Sequence, residues 1–162
     1  MNNEATANNS VNVATTSMGP NQFKIVATAT FNCKPSRIWA LLWDWEQLLA
    51  VGLPGMTDNF QWLNGGPDEI PSTFQFEVGG TVIKEEIYER TTEDRHCLRY
   101  RTMEPALGVL DYDAILVLHP IDERHTAFSA TREVTFEPGV EPDMLVEMVQ
   151  SETKHLQDYF AH

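Results

Sequence analysis

Residues 142–160 read PDMLVEMVQSETKHLQDYF, the one stretch whose apolar spacing supports a long helix. At the helical period Leu145, Met148, Val149, Glu152, His155, Leu156, Tyr159 and Phe160 fall along one broad stripe. Pro138, Gly139 and Pro142 break the chain before it, and Glu141, Asp143 and Glu147 sit near its start, where the helix dipole favours negative charge. A striped helix must bury that stripe against another layer, so the rest of the chain has to supply a surface.

That surface is a run of extended segments, roughly 59–63, 72–78, 81–91, 95–103, 111–118 and 125–136. Along each, apolar and polar residues alternate, the pattern of strands that bury one face. Gly65-Gly66-Pro67 and Gly79-Gly80 are turn signals, Thr92-Glu93-Asp94 and Ile121 to Arg124 read as polar hairpin turns, and 104–110 is a longer connection. Short links between neighbours predict an antiparallel meander. A further strand, 23–31 (FKIVATATF), comes before them. Between lies a Trp-rich stretch: Pro35 can open one short helix and Asp44 can cap a second, with Gly52, Pro54 and Gly55 ending it. Residues 1–22, rich in Asn, Ala, Thr and Ser and without periodicity, read as a disordered tail, leaving one domain over 23–162. The expected fold is α+β: a curved, antiparallel, seven-stranded sheet wrapped around the long C-terminal helix, with two short helices after strand 1. A sheet gripping one helix leaves room for a hollow between them.

The chain has 162 residues, 42% of them hydrophobic, including four Trp and eight Phe, which is ample for a core. A formal net charge of −13 opposes a nucleic-acid partner, since phosphate binding needs clustered Lys and Arg. No apolar run is long enough to span a membrane. The opening Met1-Asn2-Asn3-Glu4 lacks the basic and apolar regions of a signal peptide, so a cytoplasmic location is expected. Cys33 and Cys97 have no metal-ligand spacing and read as reduced thiols. The five His include no HExxH pair; neither a metal nor a cofactor is expected. Oligomeric state, monomer or dimer, is not encoded in any pattern here.

Several local patterns, in this order, resemble one superfamily. Pro35-Ser36-Arg37-Ile38-Trp39-Ala40-Leu41-Leu42-Trp43-Asp44-Trp45 is similar to its P-x-x-[VI]-W-x-[LV]-[LI]-x-D-[FW] opening. Pro54-Gly55-Met56 is similar to the turn that follows, Glu85-Glu86-Ile87 to a fourth-strand feature, and Tyr112 to Pro120 to the sixth strand. Together they resemble the START and birch-pollen-allergen-like (SRPBCC) superfamily, in its polyketide cyclase/dehydrase-like branch. The resemblance implies the helix-grip fold over 23–160. Its members carry lipids, bind hormones, cyclise polyketides or chaperone partners, so fold alone does not choose among them. Arg132 departs from the pattern: it stands where many members of that branch have Trp.

Alternation selects the side chains that face the hollow. On the last strand Phe128, Ala130, Arg132, Val134 and Phe136 form the more apolar set; on the strand before it Tyr112, Ala114, Leu116 and Leu118; on the one before that Leu98 and Tyr100. Arg132 then points into an apolar space and needs a partner, for which Glu85 is the candidate beside inward-facing Ile87. It serves either as a cation for a ligand carboxylate, phosphate or enolate, or as half of a structural ion pair, or it is turned to solvent by a bulge. Tyr100 and Tyr112 could orient a ligand carbonyl. Met148 offers an adaptable wall. His155 is either a general base near the hollow or a half-exposed residue at the stripe's edge. Trp39 and Trp43 share a helix face and read as core, with Trp45 at the pocket mouth or exposed as a partner anchor. The expected ligand-contact set is Glu85, Tyr100, Tyr112, Leu116, Phe128, Arg132, Met148 and His155. Three functions follow: a binding protein for a small, mostly hydrophobic ligand with a polar or anionic end, of the lipid- or polyketide-carrier kind; a polyketide cyclase/aromatase-type enzyme; or a filled-core interaction module. Convergence of Arg132 and Tyr100 on one spot would separate the second from the others.

Overall fold

Among the described residues eight strands form the sheet, one more than the alternation pattern predicts. The computed structural model describes residues 10–92 and 96–162. In chain order the elements are β1 (Asn12–Gly19), β2 (Gln22–Phe31), α1 (Pro35–Trp43), α2 (Trp45–Gly52), β3 (Thr57–Asn64), β4 (Ser72–Val78), β5 (Thr81–Thr91), β6 (His96–Thr102), β7 (Val109–Pro120), β8 (Thr126–Phe136) and α3 (Asp143–Tyr159). The sheet runs β1-β2-β8-β7-β6-β5-β4-β3, every pair antiparallel. From β3 to β8 it is the expected meander, and β2 joins its far side against β8. The α+β helix-grip arrangement holds: two short helices after β2, and α3 lying on the sheet.

The additional strand, β1, lies in the segment read as a tail. It hairpins onto β2 through Asn21, whose φ is 62°, in the left-handed region that Asn tolerates. Its residues are exposed on both faces, apart from partial cover at Val13 and Gly19. A strand with no buried face carries no burial alternation, so its only sequence signal is the β-branched content of Val13, Thr15 and Thr16. Residues 1–9 of the expected tail lie outside the described residues, as do Glu93 and Asp94 of the expected turn Thr92-Glu93-Asp94.

Alternation on β7 and β8 is realised as expected. Tyr112, Ala114, Leu116 and Leu118 are buried, as are Phe128, Ala130, Arg132, Val134 and Phe136. No bulge displaces Arg132, which pairs with Ile25 on β2 and Ala114 on β7 in regular register. α3 sets Val149, Leu156 and Phe160 on this face. Phe160 lies 5.5 Å from Phe31, which stacks on Phe128 at 4.8 Å. Each such buried ring contributes about 1.5–3 kcal/mol of transfer free energy.

The helix stripe is rotated from its predicted position. Tyr159 is exposed, whereas Thr153 and Gln157 are buried. Both polar residues are satisfied by backbone carbonyls: Thr153 Oγ1 donates to Val149 O at 2.8 Å and Gln157 Nε2 to Thr30 O at 3.1 Å. The tryptophans are also reassigned. Trp39 and Trp43 are half-buried, and Trp45 is core, packed against Phe74 and Tyr100. Trp43 instead clasps α1 to the β3–β4 connection: it donates Nε1 to Asp68 at 2.8 Å and lies under the Arg90 guanidinium, 3.9 Å from its ring centroid.

The passage from β2 to α1 is anchored by Thr126, which is fully buried and donates Oγ1 to Cys33 O at 2.7 Å. Thr126→Val keeps the shape and removes the donor. Urea denaturation should show a loss of about 1–3 kcal/mol, the cost of stripping a buried carbonyl of its partner; an unchanged midpoint and slope would mean the bond is dispensable.

Candidate functional site

Four inward positions on four different strands meet beneath α3. Glu85 comes from β5, Tyr100 from β6, Tyr112 from β7 and Arg132 from β8, all buried. Their neighbourhood follows from register, since Tyr100 pairs with Ala114 and Ala114 with Arg132, which places the side chains in adjacent rows on one face. The hydroxyls of Tyr100 and Tyr112 are 3.3 Å apart, and Arg132 Nε donates to Tyr112 Oη at 2.5 Å. Arg132 Nη2 donates to Glu152 Oε1 at 2.9 Å. A continuous polar chain, Tyr100–Tyr112–Arg132–Glu152, thus runs from the sheet to the helix through an apolar interior.

Arg132 therefore pairs with Glu152, not with Glu85 as expected from sequence. Glu152 was visible on the inner stripe of α3, but no pattern on one element says which strand residue it will meet. Glu85 lies close enough to both to feel their charges, and burial is the main influence on it. Burial pushes its carboxyl up to about 8; the negative charge of Glu152 pushes in the same direction and Arg132 opposes both. At neutral pH Glu85 is thus a protonated carboxylic acid able to donate a hydrogen bond. Burial also raises both tyrosines, Tyr100 well above the usual range, so both hydroxyls keep their protons. Burial disfavours the charge on Arg132, but Tyr112, Tyr100 and Glu152 outweigh it and the guanidinium stays protonated.

Among the described residues, Arg132 Nη1, Glu85 Oε2 and Trp45 Nε1 are shielded from solvent and have no hydrogen-bond partner. Trp45 belongs to the same group, its ring 4.9 Å from that of Tyr100. Buried polar atoms are nearly always paired, so three unpaired ones in one cluster are places where a ligand's polar atoms would be held.

A cleft of about 290 Å³ opens where the end of α2 faces α3, lined by Gly52, Leu53, Pro54, Met56, Met144, Glu147, Met148, Ser151 and His155. Met148 and His155, two of the expected contact residues, are here and not in the buried cluster. His155 Nδ1 donates to Gly52 O at 2.9 Å and so ties α3 to α2. Leu116 and Phe128 are placed differently again: both are buried among apolar neighbours, Phe128 against Phe31. The structure thus divides the eight expected residues into a polar cluster of four, a cleft wall of two and core packing of two. Glu152 and Trp45 join the cluster. The first was not singled out because its meeting with Arg132 depends on how α3 seats on the sheet. The second was assigned to the mouth because it follows the break between the helices.

A sequence profile described as polyketide cyclase/dehydrase and lipid transport matches residues 22–159. No curated protein matches the chain. Among solved structures, ginseng major latex-like protein 151 from Panax ginseng superposes with a TM-score of 0.68 at 12% identity, covering 86% of this chain and 98% of that one. Norcoclaurine synthase from Thalictrum flavum, in complex with dopamine and hydroxybenzaldehyde, gives 0.62 at 14% identity, covering 85% and 88%. An uncharacterized protein from Bacillus thuringiensis gives 0.69 at 14% identity, covering 86% and 99%. At these identities the likeness is one of fold.

Proposed function

The chain belongs to the polyketide cyclase/dehydrase and lipid transport family, within the SRPBCC superfamily, and from that premise we propose that it binds a small, mostly hydrophobic ligand whose polar end is held by the Arg132 cluster. The observation that carries this reading is the set of unpartnered, solvent-shielded atoms on Arg132, Glu85 and Trp45 within one apolar interior. The α2–α3 cleft is the way in, with methionines 56, 144 and 148 as pliable apolar walls. Cytoplasmic work accords with Cys33 and Cys97 being buried thiols. No helix among the described residues is long and apolar enough to cross a membrane.

Native mass spectrometry of the protein as purified, set beside its denatured mass, tests the proposal. A small-molecule adduct that is lost on denaturation, and lost again in Arg132→Met, is the expected result. A bare mass, together with no uptake of apolar probes, would reject ligand binding and leave an interaction module with a filled core.

A second reading has its own support. Tyr100 and Arg132 converge through Tyr112, and Glu85 is a carboxylic acid tuned near neutrality, the range in which proton transfer is efficient. These are the parts that a polyketide cyclase/aromatase-type reaction would use, with pocket shape folding the substrate and Glu85 moving a proton.

A further inference from the structure

The ion pair at the centre of the cluster is lopsided. Arg132 is 1% exposed and held by the sheet on both sides, whereas Glu152 is 21% exposed and stands on a helix. Glu152 stands just behind the cleft wall. Its neighbours on that face of α3, Met148, Ser151 and His155, all line the cleft, and so does Gly52. A methyl group at Gly52 would come within 2.9 Å of Glu152 Cγ. The absence of a side chain there is what lets the Glu152 stem pass inward to Arg132.

We propose that Glu152 stands in for the ligand's own carboxylate: an apolar acid entering through the cleft displaces it from Arg132, and Glu152 turns out toward solvent. This deepens the ligand-binding reading above and rests on it. Carboxylate-for-carboxylate exchange leaves the buried guanidinium neutralised before and after. An alcohol or amide head could displace Glu152 only by leaving Arg132 without a counter-charge, which costs several kcal/mol in such surroundings. The exchange also has a gain built in. Glu152 engages Nη2 by one oxygen while Nη1 has no partner. A free carboxylate approaching the guanidinium edge could bridge both nitrogens in the bidentate geometry that suits arginine. Glu85, neutral at pH 7, adds no second negative charge to repel the newcomer.

Decanoate and decanol share a chain and differ in the head, so calorimetric titration of the full chain with each is the test. Wild type should bind decanoate at least about tenfold tighter than decanol. Glu152→Gln, which keeps the shape and an acceptor for Arg132 but weakens the competitor, should tighten decanoate by about tenfold. In wild type, decanoate should also move the Glu152 carboxyl carbon resonance to that of a solvated glutamate, a measurement that needs no variant. Equal affinity for the two probes, no gain in Glu152→Gln, or an unmoved Glu152 signal on saturation would overturn the stand-in role with the pocket intact. Failure of both probes to bind would overturn the pocket itself, and the stand-in with it.

Discussion

Arg132→Met is expected to cost about 3 kcal/mol of folding stability, at the lower end of the range for breaking a buried ion pair. Methionine nearly matches the arginine stem in length and fills the space with apolar atoms, so the loss reports charge and hydrogen bonding and not a cavity. Two bonds vanish, to Tyr112 Oη and to Glu152 Oε1, and Glu85 loses the one nearby charge that opposes its protonation. The figure stays low in the range because Glu152 is partly exposed and can turn its carboxylate to water. Adding Glu152→Leu should recover most of the loss, since a buried pair exchanged as a whole for apolar groups is close to neutral. Urea denaturation of the two single variants and the double, at one pH, measures the coupling. A loss under 1 kcal/mol for Arg132→Met, or a double variant no better than the single, would mean that the pair does not organise this interior.

The second large effect depends on pH. Glu85 has an ordinary carboxyl pKa near 4.5 when unfolded and about 8 when folded. Below 4.5 both states carry the proton, and above 8 neither does. Between them the folded protein holds one proton more than the unfolded chain, so each rise in pH favours unfolding. At ~1.4 kcal/mol per pH unit, the whole window is worth about 5 kcal/mol. Glu85→Gln is neutral at every pH and lacks this loss. The variant and wild type should therefore be of similar stability near pH 5, and the variant should be the more stable of the two by several kcal/mol at pH 9. Other titrating groups affect both proteins alike and cancel in the difference. A difference that stays flat from pH 5 to pH 9 would show that Glu85 ionises without hindrance and is not enclosed as described.

How much of this could be read beforehand differs by element. Period-two alternation on β6, β7 and β8 put Tyr100, Tyr112 and Arg132 on one face, because a half-buried strand offers only two faces to choose between. The 35–45 motif and the α3 stripe placed the helices for the same reason of one-sided burial. β1 was illegible because it has no buried side. On helices the stripe is broad, so a rotation of one residue was invisible: Tyr159 and Gln157 exchanged places, and Trp39 and Trp43 yielded the core to Trp45. The site's defining contact, Arg132 to Glu152, belongs to no single element. It arises from seating α3 on the sheet, and a linear pattern carries no information about that distance. Glu85 was placed near the right cation and given the wrong role, since its burial, and hence its proton, depends on what packs over it.

Arg132 sits on β8 with β2 on one flank and β7 on the other, so strands from near the two ends of the polypeptide lie side by side under the charged centre. Contacts of such sequence separation close slowly, because the loop entropy between them must be overcome first. During synthesis β2 emerges early and has no β8 to pair with until almost the whole chain has been made. Until then Ile25, Ala27 and Phe31 present an apolar row with only the β1 hairpin beside it, the kind of exposed edge that invites wrong partners. The same adjacency that encloses the binding residues in the finished protein therefore makes the nascent chain dependent on β1, or on a chaperone, for cover.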